Sequence, residues 1–285
     1  MRIIQNCDLT NFNSYRISAV CREAHFPESE ADIVKFFSDP APFCMIGSGH
    51  NVILSKTWYD TRFLIFNGNF NAYHGDSKTG EIVAEAGISM LEISEKALAS
   101  GLSGLEIFFD IPSSLGGAVV MNAGASGEEI KDVLVKVRYL DLKDMQIKEI
   151  HKEDMGFEYR NSFFQRNTDK VVLKVWLCLH PAEKSIINEK MQIIKEQRWA
   201  KQPRNYPNAG SVFKRPKGYY VGAMMDELKL KGETVGGAMI SEKHGGFIIN
   251  INNATGEDIL NLIHHVQKKV IEKFGVELEI EQRII

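Results

Sequence analysis

Two glycine-bearing segments constrain this chain more than any other feature. They are Ile46-Gly47-Ser48-Gly49-His50-Asn51, and Ile111-Pro112-Ser113-Ser114-Leu115-Gly116-Gly117-Ala118 running on into Met121-Asn122-Ala123-Gly124-Ala125. Glycine allows positive φ and lets main-chain N–H groups approach a ligand with no Cβ in the way, so such loops can wrap anionic oxygens. Either loop alone reads as a tight turn, because short glycine motifs occur often without any ligand. As a pair they read as clamps on one diphosphate.

The spacing excludes the better-known phosphate motifs. After Gly47 and Gly49 the third position of a Gly-x-Gly-x-x-Gly fingerprint is Val52, and no Gly-x4-Gly-Lys-Ser/Thr occurs. A flavin or another nucleotide held across both loops remains.

At 285 residues the chain can bury a substantial core and has room for more than one domain. Its formal net charge of -3 gives no general reason to expect nucleic acid or an anionic membrane as partner. Cys7, Cys21, Cys44 and Cys178 are widely spread with no Cys-x-x-Cys, which fits buried thiols in a reducing compartment. Polar Gln5, Asn6 and Asp8 interrupt the run that a signal peptide would need, so a soluble cytoplasmic protein is expected. No metal site is expected either: His264 and His265 are adjacent on a helical pattern and point to different sides, and no His-Glu-x-x-His occurs.

Periodicity predicts a helix over 31–37, a short strand Phe43-Cys44-Met45-Ile46 that the first glycine loop caps, and strands over 62–66 and 81–86. Ser89, with Glu92 at the capping-box position, starts a helix that Gly101 stops. Strand-forming stretches follow at 133–140 and 170–177, rich in β-branched residues, then a helix over 186–199. The proline-punctuated connector over 201–207 reads as a domain boundary. Beyond it, Thr255 and Asp258 cap a helix whose apolar face carries Ile259, Ile263, Val266, Val270 and Phe274 and which ends at Gly275.

Further segments complete a pattern: Gly101-Leu102-Ser103-Gly104-Leu105-Glu106, Tyr159-Arg160-Asn161-Ser162, Ala209-Gly210-Ser211-Val212-Phe213-Lys214-Arg215-Pro216, Gly236-Gly237-Ala238, Lys243-His244-Gly245-Gly246-Phe247-Ile248-Ile249-Asn250, and Gly275-Val276-Glu277-Leu278-Glu279-Ile280-Glu281. With the two loops, and in this order, they resemble the UDP-N-acetylenolpyruvoylglucosamine reductase family over nearly the whole chain. The short connector from Lys201 to Ala209 is similar to the compact subgroup that lacks an extra substrate-closing loop.

The resemblance implies an α+β protein with a two-lobed FAD-binding region of the vanillyl-alcohol-oxidase-like type and a carboxy-terminal α/β substrate-binding domain. The expected divisions are 1–58 for the first lobe, 59–198 for the second and 199–279 for the substrate domain, with the tail 280–285 returning to the flavin region. It implies that FAD is reduced by NADPH and that UDP-N-acetylglucosamine enolpyruvate is then reduced to UDP-N-acetylmuramate. Cofactor contacts would come from Gly47, Ser48, Gly49, His50 and Asn51, and from Ile111, Pro112, Ser113, Ser114, Gly116, Gly117, Ala118, Asn122 and Ala123.

By the same resemblance Arg160 meets the substrate carboxylate and the developing enolate, Ser211 donates the proton, and Glu281 is a second acidic group assisting there. Lys201 matches a lysine that contacts substrate. Lys214 and Arg215 are expected near the uridine diphosphate on charge alone.

The chain departs from the family pattern at identifiable positions. His50 stands where the family usually has serine, Ser113 where it has glycine, and Gln282 where it has valine. His50 is expected to remain a neutral imidazole beside non-covalently bound FAD; the alternative is a covalent flavin link through its ring. Rival readings are an oxygen-using alcohol or sugar oxidase, and a flavin-binding protein that has lost turnover.

Overall fold

A computed structural model describes all residues, 1–285, and the chain divides into two compact units. Unit 1 comprises Met1–Ile3, His25–Ser48 and Leu64–Arg198; unit 2 comprises Ile4–Ala24, Gly49–Phe63 and Trp199–Ile285. The stretch 1–58 is thus shared between them.

Unit 1 is built on a five-stranded antiparallel sheet in the order Gln146–His151, Leu134–Asp141, Lys170–Cys178, Glu81–Glu85, Tyr73–Gly75. Val137 pairs with Val175, and Val175 in turn with Ala84, so β-branched and small residues line one buried face. The register shifts between Arg138 and Tyr139, a bulge of the kind that bends a strand locally. Helices Glu30–Phe37 and Met90–Ala99 contribute Ile33, Phe36, Ile93 and Ala97 to the same core. Ser89 accepts from the Glu92 N–H at 3.0 Å and starts the second of these helices; Gly101, at φ +67, follows its end.

The Gly101–Glu106 motif has a structural cause. Glu106 is 1 % exposed, and its carboxylate accepts from the Ser103 hydroxyl and from the Gly104 N–H at 2.9 Å, with Lys190 at 3.7 Å. Burial pushes this carboxyl up, but Ser103, the backbone N–H donors and Lys190 outweigh it, and the net shift is downward.

In unit 2 the strands Thr234–Val235, Ala238–Ile240 and Ile248–Asn250 form an antiparallel sheet, with Ile240 opposite Ile248. Helix Gly256–Phe274 packs on it. Its capping box is complete, Thr255 and Asp258 each accepting from the other's backbone N–H, and Gly275 ends it at φ +65. Ile259, Leu262, Ile263, Val266 and Val270 are buried along one face. Arg283–Ile284 pairs in parallel with Val52–Ile53, the strand that follows the first glycine loop.

Some expectations need correction. The helix before the connector runs from Lys184 to Lys201, past both expected ends. The thiols are all unbridged, but only Cys7 and Cys21 are buried; Cys178 is exposed, because alternation along its strand turns Leu177 inward and Cys178 out. No helix is long and apolar enough to cross a membrane.

Candidate functional site

In unit 1 the two glycine loops meet. A Cβ at Gly47 would lie 2.7 Å from the Ser114 hydroxyl, so only glycine leaves this approach open. Ser114 is the N-cap of helix Leu115–Met121, its hydroxyl accepting from the Gly117 N–H at 3.3 Å. Around Gly117 a Cβ would meet only the Ser113 and Ser114 hydroxyls, at 3.3 and 3.1 Å. Gly116 differs: its N–H donates to the Ala86 carbonyl at 2.9 Å, and a Cβ there would sit 2.9 Å from Ala86 Cβ. Packing against Ala86 is what requires that glycine. Of the other expected contacts, Ile111 and Ala123 pack on the core as partly buried residues, Ala118 is buried and Pro112 is exposed.

Arg160 is held by the end of the same loop. Asn122 closes the helix in the left-handed region at φ 44, and its side-chain amide donates to the Glu158 carbonyl at 2.9 Å. Two residues further on, Arg160 has φ 53, a conformation that costs a non-glycine residue about 1–2 kcal/mol. The turn is fixed by paired bonds between Glu158 and Asn161, both 3.1 Å, and by the Ser162 hydroxyl donating to Val120 O at 2.7 Å. The Arg160 guanidinium donates to Gly124 O at 2.9 Å and approaches Asn122 O at 3.5 Å. The Tyr-Arg-Asn-Ser motif thus presents a cation whose orientation is set by carbonyls of the second glycine loop.

In unit 2 the first loop continues through Gly49, at φ +75, where any Cβ would overlap the Phe12 carbonyl. Ser14 N–H donates to Gly49 O at 3.0 Å, and the Ser14 hydroxyl is hydrogen-bonded to His50 Nδ1. Burial, then the Arg16 and Arg204 cations, push the His50 imidazolium down to about 4, so the ring is neutral at pH 7. Asn51 Nδ2 donates to Glu281 O at 3.2 Å, which ties this loop to the carboxy-terminal segment.

The segments that carry Ser211 and Glu281 run side by side, with Val212 opposite Glu281 and Ser211 opposite Gln282. Glu281 N–H donates to Val212 O at 2.8 Å, Phe213 bridges Ile280, and Lys214 N–H donates to Glu279 O at 2.9 Å. On the other side Ser211 bridges Phe247 and Val212 N–H donates to Gly246 O at 3.0 Å. Ser211 is exposed and Glu281 half-buried. The three basic residues differ in their freedom: Lys201 is exposed at its helix end, Lys214 is paired with Glu279 at 2.6 Å, and Arg215 stacks 3.7 Å from the Tyr220 ring centroid. His244 is a packing residue, accepting from Gly246 N–H at 3.1 Å and standing edge-on to Phe247.

The sequence reading missed Ser14 and Tyr15. Tyr15 is fully buried and donates to Gln282 Oε1 at 2.9 Å, and the Asn250 side chain donates to the Tyr15 carbonyl at 2.8 Å. The available signal was an aromatic amid Asn13-Ser14-Tyr15-Arg16, which has no period.

Within unit 1, a loop pair that leaves no room for a Cβ at Gly47 and is lined by the Ser113 and Ser114 hydroxyls fits a dinucleotide diphosphate. The sequence profile of the FAD binding domain matches residues 23–150, and the protein is an FAD-dependent oxidoreductase. The profile of the UDP-N-acetylenolpyruvoylglucosamine reductase C-terminal domain matches residues 202–285. The chain belongs to the UDP-N-acetylenolpyruvoylglucosamine reductase family. Similar relatives bearing that name come from Syntrophomonas wolfei, 47% identical over 288 residues covering 100% of this chain and 95% of the relative, and from Caldanaerobacter subterraneus, 39% identical over 100% and 94%. The crystal structure of the UDP-N-acetylenolpyruvylglucosamine reductase of Thermus caldophilus superimposes with a TM-score of 0.83 at 30% identity, covering 99% of this chain and 98% of that one.

Proposed function

We propose that the protein reduces UDP-N-acetylglucosamine enolpyruvate to UDP-N-acetylmuramate at the expense of NADPH, a step of peptidoglycan precursor synthesis. The observation that carries the residue assignment is the pairing of the Ser211 segment with the Glu281 segment, which sets a hydroxyl and a carboxylate on adjoining stretches of one unit. FAD, when bound, supplies the hydride that it has taken from NADPH. Gly47 to Asn51 and the loop from Ile111 to Ala123 are the residues that would hold it.

Adding hydride to the terminal carbon of the enol ether leaves negative charge on the neighbouring carbon, shared with the carboxylate. Arg160 meets that carboxylate with a planar, permanently charged guanidinium. A fixed cation at developing charge lowers such a barrier by a few kcal/mol. The Ser211 hydroxyl gives the proton that completes the lactyl ether, and Glu281 assists it. Serine is a weak acid at neutral pH, but a carbanion-like enolate is a base strong enough to take its proton. Lys201, Lys214 and Arg215 serve the anionic nucleotide. Consumption of NADPH and a nucleotide sugar, together with the unbridged cysteines, supports a place in the cytoplasm.

The test is a coupled assay. FAD-loaded protein should oxidise NADPH only when the enolpyruvyl sugar nucleotide is present; no stimulation by it overturns the assignment.

A further inference from the structure

The residue beside Glu281 is placed to govern the residue opposite. Gln282 is 4 % exposed, and its amide nitrogen faces three successive carbonyls, those of Ala209 at 3.0 Å, Gly210 at 3.3 Å and Ser211 at 3.4 Å. Its amide oxygen accepts from Tyr15 Oη at 2.9 Å. Both ends of the amide are therefore engaged, which fixes which end is which and holds the side chain in one pose. Tyr15 is 0 % exposed, and burial pushes its hydroxyl up, so it stays a donor throughout the working range. Gly210, at φ +80, provides the backbone turn that points these carbonyls at one nitrogen.

We infer that Gln282, oriented by Tyr15, is a positioning residue for the Ser211 proton donor. Its bonds run from the extended segment of Glu281 to the peptide groups on either side of the Ser211 Cα. They also extend to the first glycine loop, since Ser14, next to Tyr15, donates from its N–H to Gly49 O. A valine, which the resemblance leads one to expect at this position, could make none of these bonds. Displacing a reacting group by about 1 Å costs on the order of a hundredfold in rate. Loss of the Gln282 amide should thus fall on proton delivery and spare the step that needs none.

This inference rests on the role given to Ser211, and the experiment separates the two. FAD-loaded full-length Gln282→Met, which keeps side-chain length without the amide, is followed by stopped flow in each half-reaction. Flavin reduction by NADPH should stay within about twofold of the parent, while reoxidation at saturating enolpyruvyl sugar nucleotide slows about ten- to a hundredfold with unchanged substrate affinity. The solvent deuterium isotope effect on reoxidation should rise. Tyr15→Phe should show a smaller effect of the same kind, and the double variant should be no slower than Gln282→Met, because both changes break one chain of bonds. Equal loss in both half-reactions, or loss in neither, overturns the inference. If Gln282→Met does not fold, Tyr15→Phe decides on the same criteria. Should Ser211→Ala leave reoxidation intact, the Ser211 assignment fails and this inference with it; a selective effect in Ser211→Ala but not in the Gln282 and Tyr15 variants overturns the positioning role alone.

Discussion

A Cβ on Gly47 would fall 2.7 Å from the Ser114 hydroxyl, the same hydroxyl that caps helix Leu115–Met121. The two glycine loops therefore compete for one small volume. Gly47→Ala should displace Ser114 from the Gly117 N–H and cost about 1 kcal/mol, the usual value of an N-cap. Gly49→Ala meets the fixed Phe12 backbone at positive φ and should cost roughly 3 kcal/mol or more. Thermal denaturation with flavin absorbance on the purified proteins should rank Gly49→Ala well below Gly47→Ala; the reverse order would refute the steric account.

Ser211→Ala should separate the half-reactions. Only reoxidation by the sugar nucleotide needs a proton from the protein, so that step should slow by about two to three orders of magnitude while reduction by NADPH continues. Equal damage to both steps would point to the fold or to cofactor binding.

Arg160→Lys keeps the charge and removes the planar fork. The guanidinium contact to Gly124 O would go with it. We expect kcat to fall about a hundredfold, equivalent to roughly 3 kcal/mol, with FAD content unchanged. A lysine variant within a few-fold of the parent would show that the planar guanidinium is not required.

His50 predicts an acid-labile native state. Its folded value, about 4, lies below the ordinary 6.5, so between these pH values the unfolded chain binds the proton and the folded one does not. Stability from this group is whole above pH 6.5 and is lost as pH falls through 4. Relative to His50→Ser, the parent should lose ground progressively over that window, by at most on the order of 3 kcal/mol. Urea midpoints across the range check it, and parallel curves would remove His50 as the cause. All flavin should be released on acid precipitation; flavin retained in the pellet would reveal a covalent link through His50.

Local signals were legible in the sequence. Thr255 and Asp258 mark the start of their helix and Gly275 its end, each within a few residues of the boundary it sets, and Ser89 starts its own in the same way. What failed to show was whatever depends on distant partners. Gly116 reads as a ligand-facing glycine, yet its N–H goes to Ala86. Asn122, an expected cofactor contact, is in addition a helix cap that pins the turn of Arg160, a role set by a partner remote in sequence. Strand Gln146–His151 was overlooked because no residue in it is buried, which weakens the apolar alternation on which the reading relied. Gln282 looked like a mere departure from valine until Tyr15, remote in sequence, was found against it.

The carboxy-terminal strand has a consequence for how the protein is made. Asn51 and Ser55 find their partners Glu281 and Ile285 at a sequence separation of 230, and Val52–Ile53 pairs with Arg283–Ile284. At about 5–20 residues per second, the ribosome needs on the order of 10–50 s to supply that strand after the first glycine loop has emerged. Through this interval the loop's following strand lacks its native neighbour, and capture of the cofactor by the finished grip becomes a late event in the birth of each molecule.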